Sequence, residues 1–400
     1  MAVNLKVAAS AKELDDVFKL RYEVFVIEDK KFGNSNLSEG RIFDKYDALP
    51  EVVNIIAYDD DDPIATIRLN KSEGFSLPAE ELYDFSDYRK EIENSSGAEV
   101  VLGSAGMLAI RANWRGRRDV IQAMFKLSIG VGRYWGVTHG IATVNKDTVS
   151  MYTKLGYKEL HEPIWIESIG NHIVPMVSEF APVYQWAFGH LLGGRIDEFW
   201  FDTFAGHFER VILSSDEVIF YQDGSASDAY LIDNGWVNIF RKGPDDQELQ
   251  IASLSRGSLF GELALIDDKP RSATAIASGR VELIRINRSV FESVISNDVQ
   301  KLNKLLSIFA NRIRETDELA MVMAFSPQTK RVRFALEKLR NDSIPDIKHD
   351  GATVIKCGPT NLAKTAGVRE TEVMHVLELE KADGRLDYGK NLIRFYDNRN

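Results

Sequence analysis

Near the start of the chain, apolar positions return at helical spacing. Leu14, Val17, Phe18, Arg21 and Phe25 predict a helix from about Ala11 to Glu28, with Arg21 on or beside its apolar face. The pattern then changes period. Val52 to Tyr58 and Ile64 to Leu69 are apolar runs parted by Asp59 to Pro63, which predicts a hairpin of two strands. A third strand, about Val100 to Ile110, runs into Trp114, Arg115, Gly116, Arg117 and Arg118, and a helix from about Val120 to Trp135 follows. After a strand at Gly140 to Val144, residues 145–160 predict a helix that passes through Gly156 into another strand. This order predicts an α/β domain over residues 1–185.

A second pattern starts near residue 190. Leu191, Leu192, Phe199, Phe201, Phe204 and Phe208 predict a short helical lead. Runs at 218–224, 229–240 and 249–262 then alternate and break at Gly224, Gly235 and Gly257, which predicts an antiparallel β-roll. After Val281 to Ile286 comes a long helix, Ser289 to about Ala324. Its Leu302, Leu306, Phe309, Ile313, Thr316, Ala320 and Met323 alternate spacings of four and three, the seam of a two-stranded coiled coil. A homodimer is expected, and residues 190–325 form the second domain.

The third domain, 326–400, opens with a helix at Lys330 to Leu339 and a strand at Thr353 to Lys356. Two helices within 359–384 meet at Gly367, with Leu362, Ala363, Val368, Val373, Val376 and Leu377 inward, and a last pair of strands spans about Leu386 to Tyr396. The fold class is multidomain α+β.

Composition narrows the setting. At 400 residues, one core is too few. A single cysteine, Cys357, excludes an internal disulfide, and the residues before Leu5 lack the basic flank and apolar run of a signal peptide. No apolar run approaches the roughly 20 residues of a spanning helix. A cytoplasmic protein without membrane partners is expected. The net charge of −11 argues against wholesale coating of nucleic acid, though not against one basic face. No metal ligand set is predicted.

Residues 260–274 place three chemistries on one short segment. Gly261 can take a positive φ that turns backbone amides toward an anion, Glu262 can accept from a ribose hydroxyl, and Arg271 offers a planar fork to phosphate oxygens. Phe260 to Leu265, with Pro270, Arg271, Ser272 and Ala273, resembles the phosphate-binding cassette of cyclic-nucleotide-binding domains. The resemblance implies a cyclic nucleotide effector, cyclic AMP before cyclic GMP. Asp216 stands where that family has a glycine. In the long helix, Thr316 matches a threonine that the bacterial cyclic-AMP receptor (Crp/Fnr-like) family places against the adenine; Asp317 replaces the usual serine after it. The other reading of Thr316 is a bond to the backbone of its own helix.

The first domain resembles the acyltransferase superfamily related to the N-terminal acetyltransferases (GNAT), in its acyl-homoserine-lactone and N-acyl amino acid synthase branch. Arg21 with Phe25, Asp44 with Asp47, Arg68, and Asn145 through Tyr152 to Gly156 carry the resemblance. It implies an N-acyltransferase in which Asp44 and Asp47 hold or deprotonate an amine and Arg21 and Arg68 anchor a carboxylate. Arg115, Arg117 and Arg118, with Asn145, would meet the acyl donor, either coenzyme A or an acidic acyl carrier protein. Ser104 and Met107 stand where that branch has an acidic residue and an arginine. Against these roles, Asp44 and Asp47 also read as solvated loop charges, Tyr152 as core, and Arg21 as the partner of Glu23 or Asp44.

The last domain resembles the winged helix-turn-helix of the cyclic-AMP receptor family, with Arg369 to Glu380 as its recognition helix. The resemblance implies contacts to double-stranded DNA from Thr360, Arg369, Glu370, Thr371 and His375. Basic residues here number about 14 against about 11 acidic. Two functions stay open: a nucleotide-responsive transcription regulator with a fused acyltransferase-like domain, or a nucleotide-gated acyltransferase with a degenerate winged helix.

Overall fold

The computed structural model describes residues 2–30, 40–95, 97, 99–167, 170–188, 209–243, 248–341, 343–346, 349 and 351–396. The expected helical lead at 191–208 lies outside them. The chain divides into two compact units, Met1–Ile212 and Leu213–Asn400.

In the first unit, β1 (Val3–Val7), β2 (Val52–Asp59), β3 (Asp62–Lys71) and β4 (Leu102–Ile110) are neighbours in that order. β5 (His139–Asn145) follows β4, and then come β8 (Asn171–Glu179) and β6 (Lys158–Glu159), with β7 (Ile164–Ile166) on β8 as well. Residues up to Ile212 of β9 (Glu209–Leu213) lie along β1. All these pairings are antiparallel except β4 with β5, whose parallel pairing stops after Ser104 and Ile141. Residues of both parities on β2 and β3 are buried, as in a sheet covered on both faces. Ile56 and Tyr58 pack on Val17 of helix Ala11–Tyr22. Helix Arg118–Tyr134 packs on β1, β2 and β3.

The start of the first helix follows from its sequence. Ser10 accepts from the Glu13 amide while Glu13 accepts from the Ser10 amide, a reciprocal cap. Its expected end at Glu28 holds only as a change of winding, from α-helix at Tyr22 to π-helix over Glu23–Glu28. Residues 145–160 contain less helix than predicted, a short turn at Lys146–Thr148 and a helix over Val149–Lys154. Gly156 then takes φ +101 and turns the chain toward β6. Met107 in β4 has φ +52, and the register against β3 slips between Thr66 and Arg68, so β4 is bulged.

The second unit begins with antiparallel strands β10 (Val218–Phe220), β11 (Asp228–Lys242), β12 (Glu248–Leu254), β13 (Leu259–Phe260) and β14 (Thr274–Asn287). The predicted strand at 249–262 is split into β12 and β13 by a turn where Gly257 has φ +82. At Gly235, φ is +93 and an added Cβ would lie 2.4 Å from the Arg280 carbonyl oxygen, so the bulge there requires glycine. Asp216, where the resemblance wants glycine, takes φ +68; the αL turn survives on an aspartate, a residue that tolerates it.

The predicted single long helix is two, Arg288–Ser296 and Val299–Phe325, because Asp298 caps a new N-terminus by accepting from the amides of Gln300 and Lys301. Helices Gln328–Asn341, Pro359–Ala366 and Glu370–Ala382 follow, with a four-stranded sheet of β15 (Ile344–Pro345), β16 (Ala352–Ile355), β18 (Leu392–Tyr396) and β17 (Leu386–Gly389), in that spatial order. Gly367 joins two of these helices in the left-handed conformation, φ +60. Leu362, Val373, Val376 and Leu377 enter one apolar core with Val332 and Leu336.

Candidate functional site

A cavity of about 380 Å³ opens in the second unit beside the Gly261–Arg271 segment. Gly261, Glu262, Arg271 and Ser272 line it, and so does Thr316 of the long helix. Gly261 has φ +76, and an added Cβ would lie 2.8 Å from Arg271 Nη1. Arg271 donates from Nη1 to the Gly261 carbonyl oxygen at 2.6 Å and from Nη2 to that of Asp228 at 2.7 Å. Burial pushes this guanidinium down from its ordinary pKa. Glu262 is 1% exposed, and burial drives its pKa up against the opposing charge of Arg312.

Arg312 is the residue that sequence reasoning missed. Its Nη1 pairs with Glu262 Oε1 and its Nη2 donates to the Leu259 carbonyl oxygen. The available signal was its place one helical turn before Thr316. Thr316 donates to the Arg312 carbonyl oxygen at 2.7 Å, the within-helix alternative, while still lining the cavity. Asp317 is exposed and does not line the cavity.

Two buried polar atoms here have no partner: Arg271 Nε, a donor, and Glu262 Oε2, an acceptor. Unpaired buried groups of this kind are rare, and a ligand that presents an anion to one and a hydroxyl to the other satisfies both. A phosphorylated sugar presents that pair, an acceptor and a donor.

In the first unit, the four predicted charges meet. Arg21 donates from Nη1 to both carboxylate oxygens of Asp47, at 3.0 and 3.1 Å, and from Nη2 to Asn54 Oδ1. Arg68 Nη1 reaches Asp44 Oδ1 at 2.6 Å and Asp47 Oδ2 at 2.9 Å. The Asp47 side chain is 4% exposed but that of Asp44 is 41% exposed, so Asp44 is the member that solvent reaches. Burial pushes Asp47 up, but Arg21 and Arg68 outweigh it and hold its pKa below the usual value. Asp47 is therefore no solvated loop charge, and Arg21 pairs with it rather than with Glu23 or Asp44. Asn54, on β2, was not foreseen.

Tyr152 is buried against Phe125 and Tyr157 and lines an apolar cavity of about 80 Å³ with Ser104 and Phe180. Asn145 does not line that cavity; its Oδ1 accepts from Asn171 Nδ2 at 3.1 Å. Of the three turn arginines, Arg115 already pairs with Asp29 at 2.7 Å and Arg117 with Asp119 at 2.9 Å. Arg118 is exposed and opens the following helix.

In the C-terminal part, Thr360, Arg369, Glu370, Thr371 and His375 are all exposed. Thr360 Oγ1 donates to Glu370 Oε2 at 3.1 Å, so two of the expected DNA contacts satisfy each other.

Residues 210–298 match the family model of the cyclic nucleotide-binding domain. Residues 16–179 match the model described as N-acyl amino acid synthase FeeM. The cyclic AMP receptor protein of Thermus thermophilus is 29% identical over 195 residues, 48% of this chain and 86% of that protein. A CRP-like cAMP-activated global transcriptional regulator of Mycobacterium tuberculosis is 28% identical over 120 residues, 30% of this chain and 54% of the regulator. A cAMP-dependent protein kinase regulatory subunit of Aspergillus fumigatus is 40% identical over 75 residues, 18% of this chain and 17% of the subunit. Among solved structures, FixK2 from Bradyrhizobium japonicum is 19% identical with a TM-score of 0.43, covering 48% of this chain and 93% of that one. The relatives' own lengths are thus spanned to very different extents. Among the described residues, no helix is long and apolar enough to cross a membrane.

Proposed function

We propose that a cyclic nucleotide bound between Gly261 and Arg271 controls an N-acyltransferase in the first unit, one that joins an acyl chain to the amino group of an amino acid. The observation that carries the nucleotide half is the unpartnered pair, Arg271 Nε and Glu262 Oε2, in a cavity of a size that takes small ligands. Arg271 would hold the cyclic phosphate and Glu262 a ribose hydroxyl. Thr316 lines the cavity, and its hydroxyl can turn from the Arg312 carbonyl to a purine edge.

The acyl-transfer half rests on the match over residues 16–179 and on the charge cluster. We read the first unit as a GNAT-like fold, supported by its one parallel strand pair, which parts after three residue pairs and leaves the ends of β4 and β5 free to flank a donor. The acceptor's ammonium would exchange with Arg68 for the exposed carboxylate of Asp44, and its carboxylate would meet the arginine released. In the transfer itself the neutral amine attacks the thioester carbonyl, the C–S bond breaks, and the thiol leaves with the proton that the amine loses. Asp44 is the carboxylate placed to take the ammonium's extra proton beforehand and release it to solvent, which leaves the amine neutral for attack. The acyl donor is a thioester of coenzyme A or of a carrier protein, and Arg118, exposed and without an ion pair among the described residues, is the turn arginine available to it.

A second reading, a cytoplasmic DNA-binding regulator, is supported by the named relatives and by two helices meeting at Gly367 like a winged helix-turn-helix. The charge of helix Glu370–Ala382 ranks it second: Glu370, Glu372, Glu378 and Glu380 stand against Lys381 alone. In either reading the apolar seam of Val299–Phe325 pairs two chains. Leu306 is 53% and Ile313 62% exposed, more than a lone helix leaves without reason.

Calorimetry with cyclic AMP and cyclic GMP, on the wild type and Arg271→Ala, tests the shared foundation. Binding by the wild type that falls at least tenfold in the variant is expected; no binding of either nucleotide by the wild type refutes it. Transfer of labelled acyl chains from either donor onto pooled amino acids, with and without nucleotide, tests the output. A nucleotide-dependent, salt-sensitive shift of DNA fragments without any acyl product would instead establish the second reading.

A further inference from the structure

Phe220 and Phe260 line the cavity and form a cluster of three rings with Tyr230. Tyr230 stacks on Phe260 at 5.5 Å between centroids, and Phe220 lies 5.9 Å from each. The Arg271 guanidinium sits over the Phe220 ring, its Cζ 4.2 Å from the centroid, and 5.9 Å from that of Tyr230. Gly261 makes room for both, since an added Cβ there would lie 3.2 Å from Phe220 Cε1 as well as against the guanidinium.

A guanidinium has five N–H donors in one plane. Here one on Nη1 goes to the Gly261 carbonyl and one on Nη2 to that of Asp228. Three remain, and the one on Nε is buried without a partner. An aromatic ring attracts the cation through its face and uses none of the in-plane donors. The side chain is therefore fixed from below by Phe220 and from two sides by carbonyls, while its free edge stays available. Phe220 is only partly buried, so core packing alone does not account for an aromatic residue there.

We infer that Phe220 is a positioning residue that presets Arg271, before any ligand arrives, to receive an anion approaching in the guanidinium plane with two oxygens, as the two free oxygens of a cyclic phosphodiester do. This rests on the reading of the cavity as a cyclic nucleotide site. Without the ring, the guanidinium keeps its carbonyl anchors but gains freedom to tilt, and affinity falls by more than the loss of the ring's own face to the cavity accounts for.

The test uses the full chain with cyclic AMP as probe. Phe220→Leu should weaken binding about 5- to 30-fold, the range of a desolvated cation–π contact. Phe220→Tyr should bind as the wild type does. In an Arg271→Gln background, which has no cation, Phe220→Leu should change the residual affinity less than about twofold, because the effect passes through the charge. Equal losses in both backgrounds, or wild-type affinity in Phe220→Leu, overturn the proposal. Should Phe220→Leu not fold, Phe220→Met replaces it, with a thermal melt to confirm folding. A ligand-free measurement stands apart from binding: the Arg271 Nε–H resonance should be displaced by the ring current and return in Phe220→Leu. An undisplaced resonance in the wild type overturns the stacking. A displaced resonance with no nucleotide binding overturns the reading of the cavity, and with it the role of Phe220 in binding.

Discussion

Asp47 shows how far one residue sets the character of a site. Its side chain is buried, takes Arg21 Nη1 on both oxygens, is bonded to Arg68, and accepts from the Asp44 amide at 3.1 Å. Replacing it by asparagine leaves two buried guanidinium groups facing a neutral amide, and breaking a buried pair in this way typically costs about 3–5 kcal/mol. Asp47→Asn should therefore lower the melting temperature of the first unit and abolish acyl transfer, read by calorimetry and product assay. The pH dependence has a definite sign. The pKa of Asp47 is depressed in the fold, so its stabilisation is present above the unfolded value near 3.9 and is lost as pH falls through the lower folded value. An acid melt of the wild type should show this loss, and Asp47→Asn should not. In the cavity, Gly261→Ala forces an alanine to φ +76 with its Cβ 2.8 Å from Arg271 Nη1. The strain is about 1–2 kcal/mol for the backbone alone, and cyclic AMP affinity should fall at least tenfold with the protein still folded. An unchanged affinity would show that Arg271 does not receive the phosphate.

At the scale of elements, the helical seam and the last pair of helices make separate claims. Ile313, exposed at the centre of the seam, should be the residue a partner chain buries. Ile313→Asp places a charge there, and sedimentation should then report monomers where the wild type gives dimers; monomeric wild type at micromolar concentration would remove the coiled-coil reading. Elements were legible in sequence where the apolar pattern is periodic or continuous, as in Leu14, Val17 and Phe18 of the first helix or the run Ala229 to Ile232 of β11, which is buried throughout. What escaped has local causes. The break at Asn297–Asp298 depends on a cap, since Asp298 can sit inside a helix as easily as before one until its side chain is seen accepting from two amides. The strand Val3–Val7 and the helix Phe180–Phe188 are short runs whose period is ambiguous. Of the site residues, Gly261, Glu262 and Arg271 were readable because their order along one segment is specific. Arg312 and Asn54 reach their partners from 50 and 33 residues away, a proximity only folding creates.

For the whole molecule, gating makes a quantitative demand that does not depend on how the two units are arranged. If a cyclic nucleotide changes the affinity of the first unit for its acyl thioester by some factor, the thioester must change the affinity of the second unit for the nucleotide by the same factor. Couplings of this kind typically lie between about 5- and 150-fold. Titrating cyclic AMP calorimetrically, with and without a saturating non-hydrolysable thioester analogue, measures one side; titrating the analogue with and without cyclic AMP measures the other. Equal factors above about fivefold are expected. Arg271→Gln should reduce both to one, since it removes the nucleotide's charge contact but leaves the first unit intact. Asp44→Asn should lower acyl transfer and leave the coupling factor as it was, because it touches the acceptor and not the thioester. Factors of one in the wild type would mean that the two units share a chain without sharing an equilibrium, and the nucleotide would then have to act through the C-terminal helices instead. Coupling in binding need not appear in the turnover rate, so the assay that decides is the pair of titrations rather than the activity alone.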